Sequence, residues 1–591
     1  MVSEQIYING KAVDMPARSV QLSMRSNLLG KVSELTASFS YTITLPRTLN
    51  NDQMLAQSWS ITSESSGKGI HLWLPCTFER DGVQMFSGRL VVTSINEDGY
   101  NCNMVWGFAG LDEMTEQKLK LWQLGVGQND WVRLSGAPAI DQRNEFYGQP
   151  HFGFAEYYTG VADSEAYKIG QPRILPSVSV RYILAQIKSK YGVTLDLPTE
   201  EDAEVDNMVV ALTSRYLYRG EDYPQASFLL DVDNTEGEMG QKIWFYRWRE
   251  WSNRGIVIKE GDNVWMTTAK GKVKNLHIGL SCNEQFYISC PALHDGAITA
   301  TRLGNRYVID YTLNDVEVEQ DRNIMWTIAV DNDTPNHTWM ASLQLADYAF
   351  TYIPDKNEVT INSGYPIMAN LPDLTCMEFI GELCMLLGVV PIASTDKVIN
   401  CIKWASLLDD PQELQCVGID EMLTRIDKMA QRNILTYATD DGNTDGAEGE
   451  LLVDDATLQA EETWHKSHFA TMTLNRGIEM YKVTTDSEGA LSSETNSITE
   501  RIAVMVEYLT TATLTGEGMQ WNNIVTSKYA EMQKAITHPK VVTIKANMTP
   551  SEFAGLDLKR AVYIKQLASY FAVLEVESGE GDIYDIKLLK I

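Results

Sequence analysis

The sequence contains no long apolar run and no paired set of cysteines. No 18-residue window is uninterruptedly apolar, and the nearest segment, 379–393, contains Glu382, so no membrane-spanning helix is expected. The N-terminal residues include Glu4 and no apolar core, so we expect no signal peptide. None of the eight cysteines belongs to a CxxC pair, which favours buried free thiols over a zinc site.

Positive charge is also scarce. The 591 residues include 49 Lys and Arg against 79 Asp and Glu, a formal net charge of −30. We do not expect such a chain to bind nucleic acid through counterion release, because that mechanism needs a surplus of cationic side chains. An acidic wall could still let DNA slide past it, and an ordinary acidic surface is the alternative.

Motifs for catalysis and cofactor binding are absent as well. The sequence contains no GxxxxGKS/T, no GxGxxG after a strand and no GxSxG elbow. Asp441–Gly446 fits the opening of an EF-hand loop, but Gly449 and Leu452 occupy positions nine and twelve, which predicts a solvated loop. His465 and His468 could share one helical face as metal ligands, but no third ligand follows, which favours a surface cluster. We therefore assign no catalytic residue, no metal ligand and no cofactor.

What the sequence does contain is a β-rich pattern with short helices. Ser40–Leu45 is typical of a strand, and Asp81-Gly82 between two strand-like runs predicts a tight hairpin. Further strand-like runs are at 307–311, 325–330, 471–474, 502–510, 541–546, 562–564, 571–576 and 583–591. Helices are predicted at 113–121, 419–430 and 527–536. The aromatic stretch Trp244–Trp251 indicates a packed strand, or alternatively a stacking platform for sugars or bases.

Two segments repeat each other at an offset of 196 residues. Residues 175–193 read LPSVSVRYILAQIKSKYGV, and residues 371–389 read LPDLTCMEFIGELCMLLGV. In each copy a hydroxyl residue, Ser179 or Thr375, can cap a helix start, and a glycine, Gly192 or Gly388, can end the helix. The repeat indicates either duplication of a β-domain that carries one helix or a chance likeness between two well-capped amphipathic helices.

Several segments resemble tail proteins of phages that infect Bacteroides-like bacteria. The resembling segments are SYTITLPRTLNN at 40–51, FERDGVQMFSGRL at 78–90, PDLTCMEFIGELCMLLGVVP at 372–391, VYIKQLASYFAVLEV at 562–576 and DIKLLKI at 585–591. These proteins are similar in role to baseplate hub proteins. The resemblance implies duplicated tail-tube-like β-barrel domains, each with an inserted helix, in a chain that forms a homotrimer. Three two-domain chains would present six similar surfaces to a six-fold tube.

The sequence and the resemblance together predict an α+β, β-rich protein of several domains. We expect a tube-like β-domain at 1–125, an α+β domain at 126–295 containing helix 179–191, a β-rich domain at 296–410 containing helix 375–388, and a C-terminal α+β domain with tube-like strands at 411–591.

The function expected from the resemblance is structural and non-enzymatic. The chain would close the tail tube, join it to spike or fibres, and let DNA pass through the channel without specific binding. It would reside in the virion tail after assembly in the host cytoplasm. The alternatives are a tail-associated glycan or peptidoglycan hydrolase, a distal tail or other baseplate component, and a carbohydrate-binding surface protein.

Overall fold

The structure is a computed structural model. It describes residues 3–16, 20–29, 38–55, 73–107, 111–124, 131–133, 152–158, 172–214, 227–231, 247–252, 257–260, 264–267, 271–274, 276–282, 285–313, 316–319, 323–324, 327–330, 351–354, 364–395, 397–426, 429–439, 448–471, 478–479, 481–485, 491–495, 499–508, 511–578 and 582–591. No helix in these ranges is long and apolar enough to cross a membrane.

Strands predominate over helices in the described chain. The strands are β1 Glu4–Ile8, β2 Lys11–Ala12, β3 Leu22–Arg25, β4 Ser38–Ser40, β5 Ile43–Leu45, β6 Trp73–Arg80, β7 Val83–Ile95, β8 Tyr100–Trp106, β9 Trp131–Arg133, β10 Phe152–Tyr158, β11 Pro172–Ser179, β12 Thr194–Asp196, β13 Met208–Ala211, β14 Ser227–Asp231, β15 Arg247–Ser252, β16 Val257–Glu260, β17 Val264–Thr267, β18 Gly271–Lys274, β19 Leu276–Cys282, β20 Phe286–Ser289, β21 Ala297–Thr299, β22 Thr301–Leu303, β23 Arg306–Leu313, β24 Val316–Val318, β25 Asn323–Ile324, β26 Thr327–Val330, β27 Thr351–Pro354, β28 Gly364–Pro366, β29 Val389–Thr395, β30 Val398–Lys403, β31 Gln412–Glu413, β32 Cys416–Thr424, β33 Arg432–Thr436, β34 Gly449–Leu452, β35 Glu461–Lys466, β36 Ala470–Thr471, β37 Ile478–Glu479, β38 Tyr481–Thr485, β39 Leu491–Thr495, β40 Arg501–Tyr508, β41 Thr511–Thr515, β42 Val541–Asn547, β43 Val562–Ile564, β44 Ser569–Ser578 and β45 Ile583–Lys590.

The helices are short. They are α1 Leu49–Met54, α2 Asp112–Gln117, α3 Val180–Tyr191, α4 Thr199–Val205, α5 Cys376–Leu387, α6 Trp521–Lys528, α7 Ala530–Thr537 and α8 Pro550–Ala554, with 3-10 turns at Leu121–Gln123, Met368–Asn370 and Ala405–Leu408. The expected β-rich α+β class is thereby confirmed.

The largest sheet joins the two ends of the chain. Its fourteen strands follow the main order β2-β1-β6-β7-β8-β4-β3-β44-β45-β42-β32, with β5, β31 and β43 attached at its sides. Pairing of β3 with β44 places residues 23–25 beside residues 575–577. Strands of the predicted segments 1–125 and 411–591 therefore share one sheet, and the four-domain division stays a prediction.

Local chemistry explains the strands of this sheet. In β8 the burial alternates strictly, with the side chains of Tyr100, Cys102, Met104 and Trp106 facing inward. At the β6–β7 turn Asp81 and Gly82 both adopt positive φ, 50° and 76°. Because two such residues make the turn whose twist matches paired strands, the hairpin predicted at this dipeptide is confirmed.

Gly88 makes the close approach of β7 to β8 possible. A Cβ placed there would lie 2.2 Å from the carbonyl oxygen of Val105 and 3.0 Å from the Cβ of Trp106. We expect Gly88→Ala to lower the free energy of unfolding by about 2 kcal/mol, because neither contact is with a flexible side-chain end. Urea unfolding would measure the change. Gly418→Ala in β32 is the control, since its nearest contact is at 3.9 Å, and an equal loss there would contradict the steric reason.

A buried ion pair and a hydrogen bond join distant strands of the large sheet. The guanidinium of Arg80 lies 2.7 Å from Glu4, and their side chains are only 4% and 8% exposed. The same guanidinium donates to the hydroxyl of Tyr584 in β45 at 3.2 Å. These contacts bring β6 over β45, yet the two ends of the described strand order, β2 and β32, do not pair with each other. The closed, duplicated tube-like barrels expected from the resemblance are therefore not confirmed.

Both repeated segments form the predicted helices. Ser179 caps α3 by accepting from the backbone N–H of Tyr182, and Thr375 caps α5 by accepting from that of Glu378. Gly192 and Gly388 follow in the left-handed conformation. The strands after the two helices meet in one small sheet, where β12 pairs in parallel with β30.

The surroundings of the two helices differ. The strand β11 runs directly into α3 and belongs to a seven-stranded sheet with β10, β13, β36, β37, β40 and β41. A 3-10 turn instead precedes α5, which packs against α6 and β29. The helices therefore repeat, whereas a repeat of whole domains is not confirmed.

One predicted helix is wrong. Residues 419–430 contain Glu421, Met422 and Leu423, which favour helices, but 416–424 form strand β32 beside β42. Long-range pairing overrides this local preference.

The helix predicted at 113–121 is confirmed as the shorter α2, and that at 527–536 overlaps α6 and α7. Within the stretch 244–251, residues 247–251 belong to β15, which pairs with β14.

Candidate functional site

Among the described strands, β32 carries the most exposed large apolar side chains. This strand is the last in the main order of the large sheet, and among the described residues only β42 pairs with it. Four of its side chains are large, apolar and exposed: Val417 at 53%, Ile419 at 40%, Met422 at 63% and Leu423 at 67%. An exposed apolar edge strand offers unpaired backbone groups and apolar contact to another chain. We call this surface the β32 edge.

The β32 edge is bent. Cys416 lies opposite Ala546 and Thr424 opposite Val541, so nine residues of β32 span six of β42, with three shifts of register. Bulges of this kind bend a strand and increase its twist. A partner strand must follow the same bend, which makes the β32 edge more selective than a flat one.

Charge is arranged unevenly along the β32 edge. The ammonium of Lys545 in β42 lies 3.3 Å from Asp420 and 3.9 Å from Asp585. The neighbouring Glu421 is exposed and forms no ion pair with another described residue. At the other end of the sheet order, Lys11 in β2 is likewise exposed and unpaired within the described chain. The two sheet ends therefore carry opposite unpaired charges.

A second candidate site is a buried polar cluster around Glu382 in α5. Its carboxylate, 4% exposed, accepts from the hydroxyl of Ser467 at 2.7 Å and from the backbone N–H of His468 at 3.1 Å. The Nε2 atom of His465 lies 3.3 Å from the same carboxylate. These contacts fasten α5 to the chain that follows β35.

The cluster does not have the geometry of a catalytic triad. In a triad the hydroxyl donates to the imidazole, which the acid orients from its far side. Here the hydroxyl of Ser467 donates to the carboxylate, and Ser467 is itself only 2% exposed. The hydroxyl therefore has a carboxylate beside it in place of an imidazole, and its burial closes it to a substrate.

Of the two histidines, His468 is exposed as expected, whereas His465 is not. His465 lies on strand β35, not on a helix, and its side chain is 17% exposed. Its ring meets the indole of Trp521 edge-on at 5.4 Å. The surface cluster expected for this pair is thus wrong for His465, because the ring packs inward against α5 and α6.

Aromatic side chains enclose the cluster. The hydroxyl of Tyr437 donates to the carbonyl oxygen of Met519, and that of Tyr529 donates to the carbonyl oxygen of Met385 at 2.7 Å. Burial raises the pKa of both phenols well above the usual value, with the charge of Glu382 adding to the effect at Tyr437. Both phenols therefore act as hydrogen-bond donors in the core at neutral pH.

The glycine-rich acidic segment has a structural role at its end. Residues 440–447, with the EF-hand-like Asp441–Gly446, lie outside the described residues. Gly449, which follows them, starts β34 at a site where a Cβ would lie 2.7 Å from the carbonyl oxygen of Trp521. Leu452 is 49% exposed on the same strand. Gly449 is thus required by the packing of α6.

In the described ranges no group of three or more His, Cys, Asp or Glu residues could hold a metal ion.

The cysteines described with their side chains are buried and form no disulfide. These are Cys76, Cys102, Cys290, Cys376, Cys384, Cys401 and Cys416. Burial raises the pKa of the thiols of Cys76, Cys102 and Cys376 to about 12. Because a thiolate is the reactive form, these thiols are inert at neutral pH, in agreement with the packing role predicted for them.

The β32 edge could not be found from the sequence, because its residues favour a helix. Glu382 carried a usable signal, since a lone carboxylate within an apolar helix needs buried donors. Its partners come from 465–468, and their approach depends on the tertiary fold.

Comparison with known proteins gives weak similarities only. No family model matches the chain, and no curated protein matches it. The solved 43 kDa tail protein of prophage MuSo2 from Shewanella oneidensis is similar over 100% of this chain and 96% of its own, at 7% identity and a TM-score of 0.32. The tail protein from Neisseria meningitidis MC58 has the same coverages and identity, with a TM-score of 0.28. At these values the similarities carry no argument about fold or function.

Proposed function

We propose that this chain is a structural subunit of a phage tail, a baseplate hub that assembles as a homotrimeric ring through the β32 edge. In this role it closes the tail tube, joins it to spike or fibres and lets DNA pass through the ring. The proposed self-association rests on one observation. The large sheet ends in the exposed apolar strand β32 on one side and in the short strand β2 on the other. The assignment to a phage tail is supported by the segment resemblance.

The two unlike sheet ends favour a ring over a two-fold dimer. A two-fold interface uses the same patch on both copies, whereas a head-to-tail interface uses two different patches and closes into a ring. In the proposed contact, β32 of one copy lies against the β1–β2 end of the next. There β2 is the last strand of the described order, so its outer side is left for a partner strand. Backbone hydrogen bonds and the apolar side chains of β32 supply the affinity.

Net charge opposes this assembly at low salt. Each copy carries −30, and like-charged copies repel over distances that shrink as salt is added. The apolar contacts at the β32 edge are not weakened by moderate salt. Assembly should therefore become stronger as the salt concentration rises, the opposite of an interface held by opposite charges alone.

We expect the purified chain to be mainly monomeric in about 20 mM salt and to form rings of three in about 0.5 M salt. Lys11→Glu and Glu421→Lys should each weaken ring formation about fivefold, because each puts like charges at the proposed contact. A chain with both substitutions restores opposite charges and should recover most of the loss. Sedimentation velocity and electron microscopy with class averaging measure the size and symmetry.

Three outcomes separate the parts of this proposal. A chain that stays monomeric at every salt concentration would contradict the proposal that it self-associates as a hub. A symmetric dimer would retain the β32 edge and reject the head-to-tail ring. Rings that form equally well with Lys11→Glu, Glu421→Lys and the double variant would place the contact elsewhere on the surface.

A further inference from the structure

A cavity near the C-terminal strands is rich in cationic residues although the chain is acidic. It has a volume of about 380 Å³ and lies where the 3-10 turn Ala405–Leu408, helix α7 and the ends of β42 and β45 meet. Its lining includes the cationic residues Lys534, His538, Lys540 and Lys590, the acidic Glu531, and apolar surface from Trp404, Leu408 and Ala535. We call it the lysine cavity.

Two of the lysines face each other without a partner. The backbone N–H of Lys590 donates to the carbonyl oxygen of Lys540 at 2.9 Å, next to the paired Val541 and Leu589, so the two lysines are opposite neighbours on one face. Neither ammonium forms an ion pair with a residue that the structure describes. Like charges directly opposite across strands destabilise a sheet. Folding alone therefore does not favour this arrangement.

The other two cations of the cavity are already engaged. Lys534 lies 2.5 Å from Glu531 one turn away, and His538 lies 3.2 Å from Asp454. Lys540 and Lys590 are therefore the two cationic residues of the cavity whose ammonium groups can pair with a bound anion.

An unpaired donor lies on the wall of the same cavity. Trp404 is 5% exposed, and its indole N–H is buried without a hydrogen-bond partner. A buried donor without an acceptor costs free energy, so native proteins seldom keep one. Leu408 and Ala535 add apolar surface beside it. The cavity thus combines two free ammonium groups and an apolar wall, and the unpaired indole N–H is buried within that wall.

We propose that the lysine cavity binds a phosphate monoester carried on an apolar or aromatic body. At pH 7 such a group bears a charge of about −1.5 to −2, which matches the two ammonium groups, whereas a carboxylate would leave one of them unneutralised. The phosphate lies between Lys540 and Lys590, and the apolar body lies along Trp404 and Leu408. A small movement of the bound ligand or the ring would give the indole N–H an acceptor. This site is independent of the β32 edge and of the proposed ring.

The probe is phenyl phosphate, titrated into the full chain by calorimetry in about 20 mM salt, where the chain is expected to be monomeric. Benzenesulfonate has the same ring and a single charge, and inorganic phosphate has no ring. We expect phenyl phosphate to bind at least fivefold more tightly than either compound. Its affinity should fall as the pH drops below about 6, where the second phosphate proton is taken up.

Variants test the location. Lys540→Gln and Lys590→Gln should each weaken phenyl phosphate binding about fivefold or more, and Trp404→Phe should weaken it while keeping the aromatic wall. Lys565→Gln, an exposed lysine away from the cavity, is the matched control and should change nothing. Because Lys590→Gln removes a repulsion, its Tm should be unchanged or higher, so weaker binding would not reflect unfolding.

The outcomes decide the site and its ligand class. Absence of saturable phenyl phosphate binding to the unaltered chain would overturn the proposal, as would binding that neither lysine variant weakens. Equal binding of benzenesulfonate would overturn the charge match. Equal binding of inorganic phosphate would retain the lysine pair and overturn the apolar body, which would identify free phosphate as the source of the anion.

Discussion

Replacing both Met422 and Leu423 with lysine should abolish ring formation while leaving the fold intact. The two side chains are 63% and 67% exposed, so little apolar contact within the chain is lost. Burying them at an interface would contribute about 1.5–3 kcal/mol each, and charged edge residues oppose strand pairing. We therefore expect the dissociation constant to rise by at least about 100-fold. Sedimentation velocity in about 0.5 M salt measures it.

The matched control is Leu303→Lys. Leu303 is 72% exposed on β22, a strand of a separate three-stranded sheet. This variant should form rings as the unaltered chain does. Both variants should keep the unaltered Tm and far-ultraviolet circular dichroism. An unchanged dissociation constant in the variant with both Met422→Lys and Leu423→Lys would show that the β32 edge does not hold copies together.

The parts of the fold that sequence could predict are those decided by neighbours in the chain. A hydroxyl at Ser179 or Thr375 and a glycine at Gly192 or Gly388 act within one helical turn, so both helices were predictable. The Asp81-Gly82 turn likewise depends only on two residues that tolerate positive φ. In each case the interacting groups lie a few residues apart.

The parts that sequence could not predict depend on distant pairing. Residues 416–424 have local helix preference and become a strand because β42, more than a hundred positions later, supplies the ladder. The contact between β3 and β44 joins opposite ends of the chain, and no local pattern indicates it. For the same reason the lysine cavity was not predicted, since Trp404, Lys540 and Lys590 converge only in the folded chain.

The buried cluster around Glu382 gives the largest expected effect on stability. Glu382→Ala removes the acceptor for the buried hydroxyl of Ser467 and for the half-buried backbone N–H of His468. A buried hydrogen-bond donor that is left without its acceptor costs about 1–3 kcal/mol. We expect a loss of that size in the free energy of unfolding, measured with urea. Glu382→Gln keeps one acceptor oxygen and should lose less.

The helix itself offers the control. Glu378 is also in α5, and its carboxylate, which is 41% exposed, forms the capping box with Thr375. We expect Glu378→Ala to lower the free energy of unfolding by about 1 kcal/mol. A double-mutant cycle with Ser467→Ala then isolates the pair, and its coupling energy should reach about 1 kcal/mol, because the hydroxyl and the carboxylate are in direct contact. Equal losses for Glu382→Ala and Glu378→Ala, with no coupling to Ser467, would mean that the buried carboxylate is replaced by water and does not fasten α5 to the chain after β35.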